Sequence, residues 1–281
     1  MFPNRPKSLL RLKIIYYLKH CAKFIASSRY RELEKIRRTP RYTRISTTLL
    51  ETPLLIADGL SFFYAYHDIF SQEIYAFHTK KRKPVILDGG ANIGLSIIYF
   101  KKLYPECTIT AFEPDPIIFD ILQQNIAAFG YRDIDLINKA LWTSDTLVDF
   151  WKEGADGGRI LRHLEPKSAD NIQIGAARLR NYIMAQQIDF LKLDIEGAEV
   201  DVILDCADCL EQIEYLFIEY HSFAAQEQRL DELLHVVRKA GFRIHVHNQF
   251  AAPRPFLEHP SYLGMDMNLN IFGYREPAIA E

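Results

Sequence analysis

The sequence predicts an α/β fold: a seven-stranded, mostly parallel sheet with helices on both faces, an antiparallel last strand, and a basic helical extension at the N-terminus. Three observations predict it. From residue 85 onward, short apolar runs alternate with helical patterns, as expected for parallel strands joined by crossover helices. The first run turns into its helix through a glycine-containing loop, residues 88–94. The last two runs, 242–247 and 268–274, are separated by Pro253, Pro255 and Pro260 with no helical pattern between them, so the final strand should return antiparallel.

The elements follow in order. Strands are expected at 85–87, 108–112, 134–137, 190–195, 215–219, 242–247 and 268–274. Helices are expected at about 93–103, 116–129, 198–206 and 226–240. Between the third and fourth strands lies an insertion, about 142–188, in which 148–151 and 172–174 read as a pair of edge strands. Gly154, Gly157 and Gly158 make the stretch between them loop-like. Ahead of this domain, residues 1–84 read as a basic region. It has a helix, a break at Thr39-Pro40, extended pieces at 49–57 and 62–65, a helical stretch at 69–78, and a charged stop at 80–84. The division is therefore 1–84 and 85–281.

The chain has 281 residues, 48% hydrophobic and 25% charged, the balance of a globular protein with a real core. The net charge of −2 hides an asymmetry. Residues 1–44 carry thirteen Lys and Arg against only Glu32 and Glu34. Such a lead suits an anionic partner such as a membrane surface, or is simply a solvated helical face; no specific nucleic acid is expected. Arg11, Lys13, Lys19 and Lys23 interrupt its apolar residues too often for a signal or a spanning helix, though an amphipathic surface helix remains open. Cys21, Cys107, Cys206 and Cys209 form no zinc-ribbon pattern. Reduced thiols suit a cytoplasmic location, with membrane-peripheral contact through the basic region as a further expectation.

The loop Asp88-Gly89-Gly90-Ala91-Asn92-Ile93-Gly94 lies at the carboxyl end of the first strand, where doubly wound sheets bind ligands. Gly90 and Gly94 let backbone approach a ligand, and Asn92 tolerates a left-handed conformation. A dinucleotide fingerprint would be G-x-G-x-x-G; here the pattern is D-x-G-x-N-x-G. Asp88 would repel a pyrophosphate but suit an ammonium, as in the methionine part of S-adenosylmethionine. Glu113 ends the second strand, where an acid accepts the two hydroxyls of an adenosine ribose. Asn138 and Ala140, at the end of the third strand, fall beside the adenine in this sheet order. Two ordinary surface acids at a strand–helix turn are the alternative.

These segments carry a resemblance. ILDGGANIG (86–94), AFEP (111–114), NKALW (138–142), DFLKLDIEGAE (189–199) and EYH (219–221) together resemble the FkbM-type methyltransferase family, in order and over about half the chain. The resemblance implies a Rossmann-like, class I methyltransferase fold and S-adenosylmethionine as donor, with S-adenosylhomocysteine as product. It also implies O-methylation of sugars or natural-product hydroxyls. The cofactor contacts would then fall on Asp88, Gly90, Ala91, Asn92, Gly94, Glu113, Pro114, Asn138 and Ala140. Gly89 departs from the family, where an apolar residue is usual, and the basic lead lies outside the match.

An alcohol is a poor nucleophile at neutral pH and needs a base, or a metal that lowers its pKa. On an extended strand Lys192 and Asp194 share a face, and Glu196 follows. Asp194 is the first candidate for a base or hydroxyl acceptor and Glu196 the second; Glu196 as a helix cap is the competing reading. Lys192 reads as a structural charge partner. His221, after the fifth strand, is a base or ligand candidate. Asp194, Glu196 and His221 could jointly hold Mg, Mn or Zn, but no tight metal spacing is present, so no metal is assigned. His245 and His247 alternate on the sixth strand as ordinary side chains. Trp142, Trp151 and Tyr220 are either core or a sugar-stacking wall. The acceptor is expected to be a small molecule or glycan. Competing readings are a non-catalytic S-adenosylmethionine-binding module and a nucleotide-sugar or NAD-dependent oxidoreductase on the same fold. The missing dinucleotide glycines oppose the latter.

Overall fold

The computed structural model of the chain describes residues 28–161 and 170–275. Its centre is a seven-stranded sheet of β3 (Val85–Gly89), β4 (Thr108–Phe112), β5 (Ile134–Ile137), β10 (Ile188–Leu193), β11 (Ile213–Phe223), β12 (Arg243–Ala251) and β13 (Met265–Tyr274). The order is β12-β13-β11-β10-β3-β4-β5, and only β13 runs antiparallel to its neighbours. The chain therefore starts at the centre, winds outward to β5, and returns through β10 to the other edge. That reversal between β3 and β10 is the crevice where such sheets take ligands.

Side chains alternate across this sheet and feed two cores. Ile86, Ile109, Phe190 and Phe217 face α3 (Leu95–Leu103) and α4 (Pro116–Phe129). Leu87, Leu191, Leu193 and Ile218 face α5 (Leu179–Ala185), α6 (Glu199–Asp205) and α7 (Leu230–Lys239). Helix α4 shows why these boundaries are sharp. Asp115 caps it by accepting from Ile117 and Ile118, proline occupies its first turn, and Gly130 at φ 65° ends it.

The segment before β3 docks on the first core. Helix α1 (Ser28–Arg37), the small antiparallel pair β1 (Ile45–Thr47) and β2 (Leu54–Ile56), and α2 (Gly59–Tyr66) bury Leu33, Ile36, Leu54, Ile56 and Phe62 there. Two expectations are corrected. Residues 62–65 are helical, because Asp58 caps α2 by accepting from Leu60 and Ser61. Of residues 69–78 only 69–71 are helical, as the end of a π-helix His67–Ser71, and the rest is irregular chain. Their apolar spacing serves docking instead, with Tyr75 against Phe217 and Phe77 against Phe190.

The insertion forms its own four-stranded sheet, β6 (Ala140–Trp142), β9 (Asn171–Arg178), β7 (Leu147–Trp151) and β8 (Arg159–Ile160), in that order. Val148 pairs with Ile174 and Phe150 with Ile172, as the edge-strand pattern suggested. No described helix is long and apolar enough to cross a membrane. Most of the basic lead, and the membrane contact expected of it, lies outside the described residues, as does Cys21; Cys107, Cys206 and Cys209 are free and buried.

Candidate active site

The loop after β3 is held from within. Asn92 takes φ 48°, and Gly90 and Gly94 take φ 79° and 95°. A Cβ on Gly90 would lie 1.8 Å from the Asp194 carbonyl oxygen, and one on Gly94 would lie 2.8 Å from Leu122. Packing against the end of β10 and against α4 already demands a glycine at both positions. The loop's amides are also committed internally. Gly90 and Ala91 donate to the Phe112 carbonyl, Asn92 to Glu113, Ile93 to the Asn92 side chain, and Gly94 to the Ala91 carbonyl. With the amides of 90–94 committed internally, the loop offers little to a pyrophosphate, which weighs against the dinucleotide reading.

Glu113 is the loop's counterpart at the end of β4. Its Oε2 accepts from Asn92 N at 2.9 Å and its Oε1 from Asp115 N at 2.9 Å. Burial pushes this carboxyl up to about 8, opposed by those two backbone bonds. Each oxygen keeps a further lone pair, and Glu113 lines a cavity of about 230 Å³ over the crevice. Gly90, Ala91, Asn92, Pro114 and Ala140 line the same cavity, with Asp194, Glu196 and Glu219 also on its wall.

Three expected contacts are corrected. Asp88 does not reach the cavity. It is fully buried, accepts from the Ser96 hydroxyl, and faces Lys192 Nζ at 3.4 Å, so an internal ammonium takes the place proposed for a ligand's. Gly94 sits beneath the cavity against α4. Asn138 is exposed and does not line the cavity; its Nδ2 donates to the Glu113 and Pro114 carbonyls, tying the ends of β4 and β5.

The expected catalytic residues do converge, with two more that the sequence reading left out. His221 is buried, with Nδ1 2.9 Å from Glu199 Oε1. Its Nε2 lies 3.5 Å from Glu196, 3.6 Å from Glu219 and 4.0 Å from Asp194. Lys192 Nζ sits 3.3 Å from Asp194 and donates to the Gly89 and Gly90 carbonyls, so its reading as a charge partner fits. Burial works against both cations. Even so, the surrounding carboxylates hold His221 well above its ordinary value, with Glu196 the strongest, and raise Lys192, with Asp194 the strongest. Burial raises Asp194 to about 7 and Glu196 well above the carboxylate range, with His221 opposing both.

Glu196 does not cap α6. It takes φ 55°, a left-handed conformation, and α6 has no side-chain cap; Glu199 instead accepts from the amides of Ile195 and Gly197 in the loop before it. Glu199 and Glu219 stood in the matching segments 189–199 and 219–221, and only the packing of β11 on α6 gives them their roles. Trp142, Trp151 and Tyr220 line neither this cavity nor the one beside it. Tyr220 is core, and Trp151 lies under the Arg159 guanidinium. His245 stacks on Tyr274 and His247 packs on Phe272, as strand side chains.

A second cavity opens beside the first. Tyr64 and Asp68 come from the N-terminal segment, Asp156 and Gly157 from the insertion, and Gln249 and Tyr262 from the β12–β13 region. Tyr64, Asp68, Asp156, Gln249, Glu196 and Glu219 line both cavities, so the shared wall includes the two carboxylates of the cluster.

The residues of the inner cavity fit S-adenosylmethionine. Glu113 offers ribose-binding lone pairs, and carboxylates outnumber lysines along the wall eight to two, which suits a cationic ligand. Comparisons agree. Residues 88–244 match the model of the Methyltransferase FkbM domain. The chain is 30% identical to "Methyltransferase sdnD" of Sordaria araneosa, over 54% of this chain and 75% of that protein. It is 24% identical to "31-O-demethyl-FK506 methyltransferase FkbM" of Streptomyces tacrolimicus, over 64% and 82%. It is 27% identical to "2-O-methyltransferase NoeI" of Sinorhizobium fredii, over 54% and 69%. A doubly wound sheet with one antiparallel strand, an acidic crevice and these relatives lead to one conclusion: the chain belongs to the FkbM methyltransferase family and uses S-adenosylmethionine as its methyl donor.

Proposed function

We propose that the chain methylates a hydroxyl oxygen of a sugar, glycan or other polyhydroxylated natural product. The observation that carries this reading is the junction of the two cavities at Glu196 and Glu219. When bound, S-adenosylmethionine supplies an electrophilic methyl group and leaves as the neutral thioether. On this reading the protein's task is to hold the donor, align the acceptor and receive one proton. Glu113, Ala91 and Asn92 hold the adenosine end. An acceptor in the second cavity would meet Asp68, Asp156, Glu196 and Glu219, which line both cavities. These carboxylates accept hydrogen bonds from several hydroxyls at once, and Glu196 takes the proton that the reacting oxygen loses. The names of two relatives, a 31-O-demethyl-FK506 methyltransferase and a 2-O-methyltransferase, point the same way.

The test is transfer of a labelled methyl group to a panel of glycosides and polyols. The expected product is an alkali-stable methyl ether, and Glu196→Gln should lower turnover with little change in S-adenosylhomocysteine affinity. Methylation confined to amines, or a product that alkali hydrolyses as an ester would, overturns the reading.

A further inference from the structure

We propose that Asp194, Glu219 and His221 form a site for one divalent cation of the Mn²⁺ or Mg²⁺ kind, placed to bind the acceptor's hydroxyl oxygen. The inference rests on the O-methylation reading and deepens it. Strand pairing sets the three side chains on one face of the sheet. Lys192 is paired with Phe217, so Asp194 two residues on falls level with Glu219 and His221. One ligand atom from each lies within 4.8 Å of the others. His221 Nε2 is 3.6 Å from Glu219 Oε1 and 4.0 Å from Asp194 Oδ1, too far for hydrogen bonds. Oxygen and nitrogen ligands about 2.1 Å from a shared ion sit about 3 Å apart as neighbours and about 4 Å apart across it, so only a small contraction is needed.

The surroundings are those of a ligand set. Glu199 engages His221 Nδ1 at 2.9 Å, and Glu199 is itself fixed by the backbone amides of Ile195 and Gly197. A carboxylate on Nδ1 sets the tautomer that leaves Nε2 free to ligate. Asn268 Nδ2 donates to Glu219 Oε1 at 2.7 Å and orients that carboxylate.

Two further observations support a cation at this site. Asn270, directly opposite Glu219 in the β11–β13 pairing, is 2% exposed, and its Oδ1 has no donor. Asp194, Glu196, Glu199 and Glu219 crowd one imidazole, and among the described residues Lys192 is the lysine or arginine that touches the group. Asp194, Glu196 and Glu219 are half-buried and within reach of one another, and a divalent ion would offset their mutual repulsion. Carboxylate-rich donors with one imidazole favour Mn²⁺ or Mg²⁺ over the thiolate-loving metals. An ion there would lower the pKa of a coordinated alcohol, whose proton Glu196, 3.5 Å from His221 Nε2, would accept.

The experiment is a titration of chelator-treated, full-length protein with Mn²⁺ followed by electron paramagnetic resonance, with Mg²⁺ as competitor. One Mn²⁺ per chain is expected, with nitrogen coupling from one imidazole. Asp194→Asn, Glu219→Gln and His221→Ala should each abolish it. Glu199→Gln should weaken it by roughly 10- to 100-fold through loss of the orienting carboxylate. The wild-type measurement needs no variant to fold. Absence of a stoichiometric Mn²⁺ site, or a site indifferent to all three ligand substitutions, overturns the proposal. S-adenosylhomocysteine calorimetry on the same sample separates the two ideas. If the protein binds that product but takes up no Mn²⁺, the cation site is overturned and the methyltransferase reading stands. Failure to bind it overturns the latter.

Discussion

Glu113 meets two opposed demands at the scale of a single side chain. Its carboxyl is 6% exposed, so burial favours the neutral form and moves it to about 8. A ribose, by contrast, offers hydroxyl donors and favours the charged form. The pH dependences therefore have opposite signs. A carboxyl whose folded-state pKa is raised gives stability that is complete below its ordinary value near 4.5 and lost as pH climbs through about 8. Wild type should lose thermal stability relative to Glu113→Gln across that window, as melting curves at stepped pH will show. S-adenosylhomocysteine should bind more tightly as pH rises through the same range. At pH above 8, Glu113→Gln should bind it roughly 30-fold more weakly, about 2 kcal/mol, the worth of hydrogen bonds to a charged acceptor. A pH-independent affinity ratio between the two proteins would contradict the assigned role. The position of Glu113 was legible because an acid closing the second strand of such a sheet has one common use. The inward turn of Asp88 was not: nothing in the sequence says that Lys192, a hundred residues away, occupies the space in front of it.

At the scale of elements, the carboxyl end of β10 organises the site. Lys192 ties β10 to β3 by donating to the Gly89 and Gly90 carbonyls, and it stands between Asp88 and Asp194. Lys192→Met keeps the apolar stem but leaves two carboxylates facing each other in the crevice. It should destabilise the protein by about 3–5 kcal/mol, measured by urea unfolding, and adding Asp88→Asn should recover part of the loss. Full stability in Lys192→Met would mean that the charges are not buried as described. Strands β4 and β5 and helix α4 match the sequence reading to the residue, because alternating or helical spacing and sharp caps coincide there. Strand β11 is longer than its apolar core suggests, running on through Glu219, His221 and Phe223. Polar residues ended the pattern, yet pairing with β13 continues to satisfy their backbone. The same extension brings the polar face of β11 to the cluster.

At the scale of the whole molecule, three remote segments close over one crevice. Glu153 is the tie. Its carboxylate accepts from the amides of Ala155, Asp156 and Gly157, and it meets Arg41 and the Tyr42 hydroxyl from the N-terminal segment. Asn92 reaches the same loop by donating to the Ala155 carbonyl. Glu153→Ala should speed amide exchange at 155–157 by about tenfold or more, while amides of β3 and β10 keep their protection. S-adenosylhomocysteine should also dissociate faster from that variant. Unchanged exchange in the loop would show that the tie is not what orders it.

The sequence by itself determined the sheet, its antiparallel last strand, the donor loop and the acid at the end of β4. All of these follow from local periodicity and from residue types whose geometry is set within a few neighbours. Only the tertiary structure decided that Asp88 faces inward, that Asn138 is spent on backbone, and that Glu199 and Glu219 join His221. Those assignments depend on which side chain fills the space between strands distant in sequence. Burial and charge balance settle such a contest only once the chain has closed upon itself.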